Sequence, residues 1–340
     1  MKLVKTLRNG YEESIPFWFM RQAGRYLPEY NRSKGHKSFI ETILDVDLAT
    51  TISLQPYIRY RTDGIIVFAD ILTPYLAIDI PLSFKESGPK LEFDIFSRQD
   101  IKKLYNFEPN LQLEYLRKII QNLREFIQKE NSESSLIGFA GAPFTMLSYL
   151  IEKGNSRKLD NTKEFLFNFE AQALEILEIL TNLTVEYLKF QIHSGVELVQ
   201  LFDSWGGILS SKHYREFCFP FLKQIIDAIK PLVPIIIFVG NNTHLIDQLV
   251  ELEPDAISLD WRVNDISKIP SKIGIQGNLD PAILLGSTER VQREVWELLN
   301  TFSVRKNFIF NLGHGILPST PIHNVNKMVD TIKRFKRKTQ

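Results

Sequence analysis

Short apolar segments recur along the chain, and each is followed by a longer stretch with helical periodicity. They are rich in β-branched residues and nearly continuous in apolar character, which is typical of strands buried on both faces of a parallel sheet. Seven such segments lie at 64–70, 135–141, 196–203, 233–240, 255–260, 272–280 and 307–315. The segment PFWFM at 16–20 is the eighth candidate strand.

The stretches between these strands have the spacing of helices. From 161 to 195 the apolar residues form a stripe with a period of three to four, which Gly195 is expected to end. Two predicted helix starts have the same motif, a polar residue followed by proline. They are Asp280 with Pro281, and Thr320 with Pro321. The polar residue is expected to cap the helix and the proline to occupy its first position.

About eight strands that alternate with helices predict an α/β fold, a (β/α)8 TIM barrel that covers 1–340 as a single domain. The alternative is an open doubly wound sheet. No G-x-G-x-x-G motif follows a strand, and the glycines at 313–315 are followed by Ile-Leu-Pro, which does not fit a dinucleotide-binding turn. No linker or sequence repeat divides the chain.

Composition narrows the classes of function. Of the 340 residues, 44% are hydrophobic and 24% charged, as in an ordinary globular protein. A net charge of +1 argues against nucleic acid as the main partner. The sole cysteine, Cys218, excludes an intramolecular disulfide and a cysteine-based zinc site, and the six histidines have no metal-binding spacing. With no apolar run that predicts a membrane span or a signal peptide, we expect a cytoplasmic protein.

The C-terminal ends of barrel strands carry the active site, so the polar residues found there are the first candidates for chemistry. The predicted strand ends contribute Asp70, Gly141, Asp203, Ser204, Gly240, Asn241, Asp260, Gln276, Asn278 and His314. For Asp203 and Asp260 a structural hydrogen-bonding role is the stronger alternative, and Asp280 is interpreted as a helix cap. Asp70 has no evident helix start to cap, and His314 stands between two glycines, so both are candidates for function as much as for structure.

The stretch PFWFMRQAGRYLPEY at 16–30 opens a locally basic region. Between 21 and 37 the chain carries five arginine and lysine residues against one glutamate, which suits a small anion. Arg21 and Arg25 are four residues apart, so a helical turn would place both on one face, where each could bind a carboxylate through two hydrogen bonds. Gly24 would let a ligand approach closely. The alternative is a pair of surface arginines.

Two phenylalanines share a strand face with candidate polar residues. Phe68 faces the same way as Asp70, and Phe202 the same way as Ser204, because side chains two apart in a strand share a face. They could contact a ring-shaped substrate, or they could only fill the barrel core.

Taken together, these motifs resemble the uroporphyrinogen decarboxylase family of haem biosynthesis. The stretch at 16–30 is similar to the family's N-terminal signature. The blocks at 138–156, 200–207, 276–281 and 310–321 resemble further family blocks in the expected order, so the resemblance covers nearly the whole chain.

The resemblance implies a cofactor-free, metal-free homodimer that removes four acetate carboxyls from uroporphyrinogen III to give coproporphyrinogen III. It implies a catalytic role for Asp70 and Arg21. The residues that match the family's substrate-binding positions are Arg21, Gln22, Ala23, Gly24, Arg25, Asp70, Tyr149, Ser204 and His314. The chain departs from the family at Ala69, where serine is common, and at 238–242, neither of which touches these positions.

Decarboxylation of an acetate needs an electron sink, which a pyrrole provides once a ring carbon is protonated. The carboxylate of Asp70 would stabilise the ring cation. The proton donor stays open among Arg21, whose pKa above about 12 makes it a poor acid, His314 and a bound water.

Two other functions are alternatives to this interpretation. A corrinoid-linked methyltransferase would need zinc on histidine and cysteine ligands, and Cys218 has no cysteine partner. A tetrapyrrole carrier would keep the arginines without needing Asp70. The basic tail at 333–340 could bind nucleic acid or a membrane, but it better fits a solvated helix end.

Overall fold

The computed structural model describes residues 1–10, 14–85, 88–156 and 158–337. Seven of the strands in these residues form one parallel sheet, and the other two form a separate antiparallel hairpin. The strands are β1 (Gly64–Ile66), β2 (Leu82–Lys85), β3 (Gly88–Leu91), β4 (Ser135–Gly141), β5 (Leu198–Asp203), β6 (Ile235–Val239), β7 (Ala256–Ser258), β8 (Gly274–Leu279) and β9 (Phe308–Leu312).

The parallel sheet has the order β1-β4-β5-β6-β7-β8-β9, which is the order of these strands along the chain. A doubly wound sheet reverses its strand order at a switch point, so that alternative is wrong and the barrel type of α/β fold is confirmed. Every residue of β4, β6, β7, β8 and β9 is buried, which explains why these strands are mostly apolar in the sequence. Strand β1 is shorter than predicted, since Phe68 N donates to Ser53 Oγ instead of continuing the ladder.

The prediction of an eighth strand at 16–20 (PFWFM) is wrong. Phe17 forms only an isolated parallel bridge with Phe310 of β9, where Phe310 N donates to Pro16 O at 2.8 Å. On its other side, Asp63 N donates to Phe17 O at 2.9 Å, directly before β1. The segment therefore lies between the two edge strands, where an eighth strand would lie, but it pairs through a single residue.

A buried polar network holds this segment inside the sheet. Trp18 is fully buried, and its Nε1 donates to Gln276 Oε1 at 2.9 Å. Gln276 Nε2 donates in turn to Gln200 Oε1 at 2.8 Å and to Ser258 Oγ at 2.9 Å. Gln276 of β8 thus binds the indole, and side chains of β5 and β7 hold Gln276 in place, so Trp18 anchors the segment to the barrel.

Helices lie before, between and after the strands, although none of the described residues between β7 and β8 forms a helix. They are α1 (Lys2–Asn9), α2 (Pro28–Lys34), α3 (Phe39–Leu44), α4 (Val46–Tyr60), α5 (Thr73–Ala77), α6 (Arg98–Lys103), α7 (Pro109–Gln112), α8 (Glu114–Lys129), α9 (Pro143–Glu152), α10 (Asp160–Asn168), α11 (Glu170–Ser194), α12 (Ser211–Phe217), α13 (Phe219–Ile229), α14 (Ile246–Glu251), α15 (Thr288–Phe302) and α16 (Ile322–Arg334), with 3-10 turns at Gly206–Ile208, Asn242–Leu245 and Pro281–Leu285. None of the helices in the described residues has the length and apolarity needed to span a membrane.

Three helix predictions have different outcomes. The helix predicted over 161–195 ends at Gly195 as expected but is two helices, because Phe169 between α10 and α11 adopts non-helical angles of φ −132° and ψ 45°. Asp280 caps as predicted: its carboxylate accepts from Ala282 N at 2.8 Å, although the turn is 3-10. Thr320 does not cap, because α16 begins one residue later and the Thr320 hydroxyl is buried.

Candidate active site

Arg21 lies in a turn that is bound to the end of β9. Met20 N donates to Asn311 Oδ1 at 3.0 Å, and Ile316 N donates to Met20 O at 2.9 Å. The side chain of Arg21 then runs along Gly315, where a Cβ would lie 2.5 Å from Arg21 Cδ. Gly315 therefore provides the space that this arginine occupies.

The prediction that Arg21 and Arg25 share a helical face is wrong. The chain from 20 to 27 forms turns rather than a helix, Arg21 has a φ of 62°, and α2 begins only at Pro28. Helical geometry cannot extend back from Pro28, because the residue before a proline favours an extended backbone. Both arginine side chains are nevertheless exposed. Arg25 lies near Tyr30, where its charge opposes the burial that raises the pKa of that tyrosine.

Gln22 binds the protein itself. It is fully buried, its Nε2 donates to Gly64 O at 2.9 Å, and its Oε1 accepts from Phe19 N at 3.3 Å. These bonds hold the arginine-bearing turn against the start of β1. Ala23 and Gly24 follow in the same turn and are half-buried.

Asp70 follows β1, where the charge of Arg21 acts on its carboxylate. The carboxylate accepts from Leu72 N at 2.9 Å, and Thr73 N donates to Asp70 O at 3.1 Å. Asp70 therefore supports the turn that leads into α5, contrary to the expectation that it has no helix start to support. Burial raises the pKa of Asp70, while the Leu72 N–H and the charge of Arg21 oppose that rise.

Tyr149 on α9 joins the same group. Its ring lies 6.3 Å from the ring of Trp205, and burial raises the pKa of its hydroxyl. Asp70 adds to that rise, whereas a hydrogen bond with Trp205 and the charge of Arg21 oppose it. One arginine thus acts electrostatically on both Asp70 and Tyr149.

Asp203 organises the loop that carries Ser204 and Trp205. It is fully buried and accepts from Thr145 Oγ1 at 2.7 Å, and Trp205 N donates to the same Thr145 oxygen at 3.2 Å. Burial raises the pKa of Asp203 to about 6, opposed by hydrogen bonds from Thr145, Tyr214 and Gly206. Asp203 has the structural role that was the stronger alternative for it.

Ser204 and His314 line a cavity of about 240 Å³. His314 Nδ1 accepts from Gly315 N at 2.8 Å, so the remaining ring proton is on Nε2. Burial lowers the pKa of His314 to about 4, with the charges of Arg21 and Arg262 lowering it further and Asp260 opposing them. The imidazole is therefore neutral near pH 7, and its Nε2–H can donate a hydrogen bond. The cavity is lined by Ser204, Trp205, Ile208, Gly240, Asn241, Asp260, Trp261, Arg262 and His314.

Sequence reasoning missed the role of Arg262, which follows β7. Its Nη1 donates to both oxygens of Asp260, at 2.7 and 2.8 Å, and its guanidinium lies 4.0 Å from the centroid of the Trp261 ring. The sequence Asp-Trp-Arg at the end of a predicted strand could have indicated the role of Arg262. Asp260 is buried and accepts these hydrogen bonds, which fits a structural role.

Phe68 and Phe202 both pack within the fold. Phe68 contacts the rings of Tyr30 and Phe39, with centroids 5.9 and 5.6 Å away. Phe202 contacts the rings of Phe139 and Phe238 at 5.9 and 5.8 Å. Both are half-buried, so each combines core packing with a partly accessible ring.

The structure thus brings Arg21, Asp70, Tyr149 and His314 into one electrostatic group, and Ser204 shares a cavity with His314. An arginine beside hydrogen-bond donors is suited to an anionic ligand. Among the described residues, no group of three or more His, Cys, Asp or Glu side chains could hold a metal ion, and Cys218 is buried.

Known proteins resemble the chain over its length. The structure of a methyltransferase from Methanosarcina mazei covers 98% of each chain with a TM-score of 0.77 at 14% identity, and a B12-independent methionine synthase from Shewanella sp. W3-18-1 covers 96% of each with a TM-score of 0.53 at 11% identity. At these identities they show the fold alone.

Two sequence relatives are much closer in identity. The Aquifex aeolicus protein named uroporphyrinogen decarboxylase is 39% identical over 339 residues, covering 98% of this chain and 97% of the relative. The Rickettsia felis protein of the same name is 38% identical over 332 residues, covering 95% and 94%. The family model described as uroporphyrinogen decarboxylase (URO-D) matches residues 1–335. The chain therefore belongs to the uroporphyrinogen decarboxylase family.

Proposed function

We propose that the protein is a uroporphyrinogen decarboxylase, a carboxy-lyase that converts uroporphyrinogen III to coproporphyrinogen III in porphyrin biosynthesis without a cofactor. The family match over residues 1–335 and the name of relatives at 36–39% identity support this proposal. The observation that carries it is the carboxylate of Asp70 within the electrostatic reach of Arg21, at the carboxyl end of β1.

The proposed binding mode follows from charge. The substrate carries eight carboxylates, and the exposed Arg21 and Arg25 supply cations for them, although not through a shared helical face. Tyr149, Ser204 and the Nε2–H of His314 supply neutral hydrogen bonds. Gln22, Ala23 and Gly24 act by shaping the arginine-bearing turn.

The proposed reaction replaces each acetate carboxyl by hydrogen. A proton adds to a pyrrole ring carbon and makes the ring cationic. The bond between the acetate CH2 and its carboxyl then breaks, CO2 leaves, and the bonding pair neutralises the ring. A second proton converts the exocyclic methylene to methyl, and loss of the first proton restores the pyrrole. The Asp70 carboxylate stabilises the cation where it forms, in a site where burial strengthens the interaction.

The state of His314 narrows the choice of proton donor. With a pKa of about 4, the His314 imidazolium is populated to only about one part in a thousand at pH 7 in the free protein. Arg21 is a poor acid at this pH. We therefore assign His314 to substrate binding as a neutral donor, and favour a water molecule as the acid.

The proposed assembly is a homodimer, as the family resemblance implies, and the proposed location is the cytoplasm. Size-exclusion chromatography with light scattering tests the homodimer directly. A mass near twice 39.4 kDa is expected, and a mass near 39.4 kDa would reject the dimer.

The proposed function is tested by anaerobic incubation with uroporphyrinogen III. Four equivalents of CO2 and a product with four carboxyls are expected. Binding without release of CO2 would identify a tetrapyrrole carrier instead. Neither binding nor CO2 release would reject the proposed substrate, and stoichiometric zinc in the purified protein would revive the methyltransferase alternative.

A further inference from the structure

Arg262 is a cation held in one orientation at the wall of the cavity that contains His314. Nη1 donates to both carboxylate oxygens of Asp260, and the guanidinium lies against the face of Trp261. Asp260 is itself 1% exposed and accepts from Asn241 N and from Arg262 N. A ligand that bound Arg262 would therefore meet a guanidinium already ordered by its neighbours.

The two partners of this ion pair differ in how many of their hydrogen-bonding atoms have a partner. Asp260 receives four, from Asn241 N, Arg262 N and twice from Arg262 Nη1. Within the described part of the chain, the recorded hydrogen bonds of the guanidinium use Nη1 alone, which leaves Nε and Nη2 as donors. The side chain of Arg262 is 48% exposed, so a ligand can reach it.

The charge of Arg262 also acts within the cavity, because it lowers the pKa of His314 as Arg21 does. Arg21 and Arg25 belong to the turn after Met20, whereas Arg262 follows β7, so the three cations come from two separate parts of the barrel. A substrate with carboxylates around its rim needs cations at more than one place.

We propose that Arg262 binds a side-chain carboxylate of the tetrapyrrole through Nε and Nη2, at a subsite that it forms with Ser204 and His314. This inference rests on the proposed function for its ligand. Asp260 and Trp261 are positioning residues that fix the direction of the guanidinium. The competing explanation is that the ion pair only stabilises the loop after β7.

The test compares Arg262→Gln with Arg262→Lys and with the control Arg290→Gln. Arg290 is a matched control because its side chain is 52% exposed and paired with Glu294 on α15. For each variant, the Kd for uroporphyrinogen III is measured anaerobically by equilibrium dialysis, with kcat, KM and the melting temperature alongside.

Arg262→Gln is expected to raise Kd and KM on the order of 10- to 100-fold with kcat within about threefold, as for loss of a charged hydrogen bond. Arg262→Lys should keep the fold and recover part of the affinity, since it retains the charge without the planar fork. Arg290→Gln should leave both constants unchanged.

Three outcomes would overturn the subsite. They are a wild-type Kd in Arg262→Gln, an equal loss of affinity in Arg290→Gln, or a loss of affinity in Arg262→Lys as large as in Arg262→Gln. Wild-type protein that binds the tetrapyrrole without releasing CO2 would refute the proposed function, while the Kd series would still decide the role of Arg262. Wild-type protein that does not bind it would reject both.

Discussion

Protonation of His314 should oppose folding, and the size of that effect follows from its surroundings. Burial and two arginine charges lower its pKa from 6.5 to about 4. Between these two pH values the unfolded chain binds a proton that the native protein does not, so stability rises with pH across this window and is lost as the pH falls. The difference in pKa corresponds to about 3 kcal/mol in full, of which about 2 kcal/mol develops between pH 7.5 and pH 5.

The assay is urea denaturation of the wild type and of His314→Asn at pH 7.5 and pH 5. Other titrating groups such as Asp203 are present in both proteins, so they cancel in the comparison. The wild type should lose about 2 kcal/mol more than the variant on acidification. His323→Asn, which removes an exposed imidazole, serves as the control and should follow the wild type. Equal pH dependence in wild type and His314→Asn would refute a neutral, buried His314.

Two further predictions concern neighbours of the site. In Gly315→Ala, the new Cβ would lie 2.5 Å from Arg21 Cδ, so the arginine side chain must move. The KM should then rise about tenfold or more, while the melting temperature changes little. An unchanged KM would contradict this prediction. Thr145→Val removes the hydroxyl that donates to buried Asp203 at 2.7 Å, so urea denaturation at pH 7.5 should show a loss of about 2–3 kcal/mol. The same loss at pH 4.5, where Asp203 is largely protonated, should be smaller, and an equal loss at both pH values would contradict the charged hydrogen bond.

The sheet was largely predictable because strands buried on both faces form short and mostly apolar runs, even though Gln200, Ser258 and Gln276 place buried polar side chains in them. Seven strands and their order follow from that property. The segment at 16–20 looked like an eighth strand because its rings are buried too, but they are held by a single bridge and by the Trp18–Gln276 bond. The local sequence does not distinguish residues buried in a paired strand from residues buried by a single bridge and a side-chain hydrogen bond.

The sequence indicated candidate site residues, but it did not indicate how the chain arranges them. The spacing of Arg21 and Arg25 indicated a helical turn, yet tertiary bonds to Asn311 and Gly64 bend the chain there instead. The neutral state of His314 depends on burial and on charges distant in sequence, so no pattern predicts it. Arg262 shares its cavity with residues that follow other strands, and only the folded chain brings them together.

The central claim is that the Asp70 carboxylate stabilises the cationic pyrrole, and Asp70→Asn tests it most directly. Asparagine keeps an oxygen that can accept from Leu72 N, and burial disfavours the charged form, so the variant should fold and bind uroporphyrinogen III with a Kd within about threefold of wild type. Anaerobic single-turnover release of CO2 should fall on the order of 100- to 1000-fold. Release within about threefold of the wild-type rate, with substrate bound normally, would contradict the account.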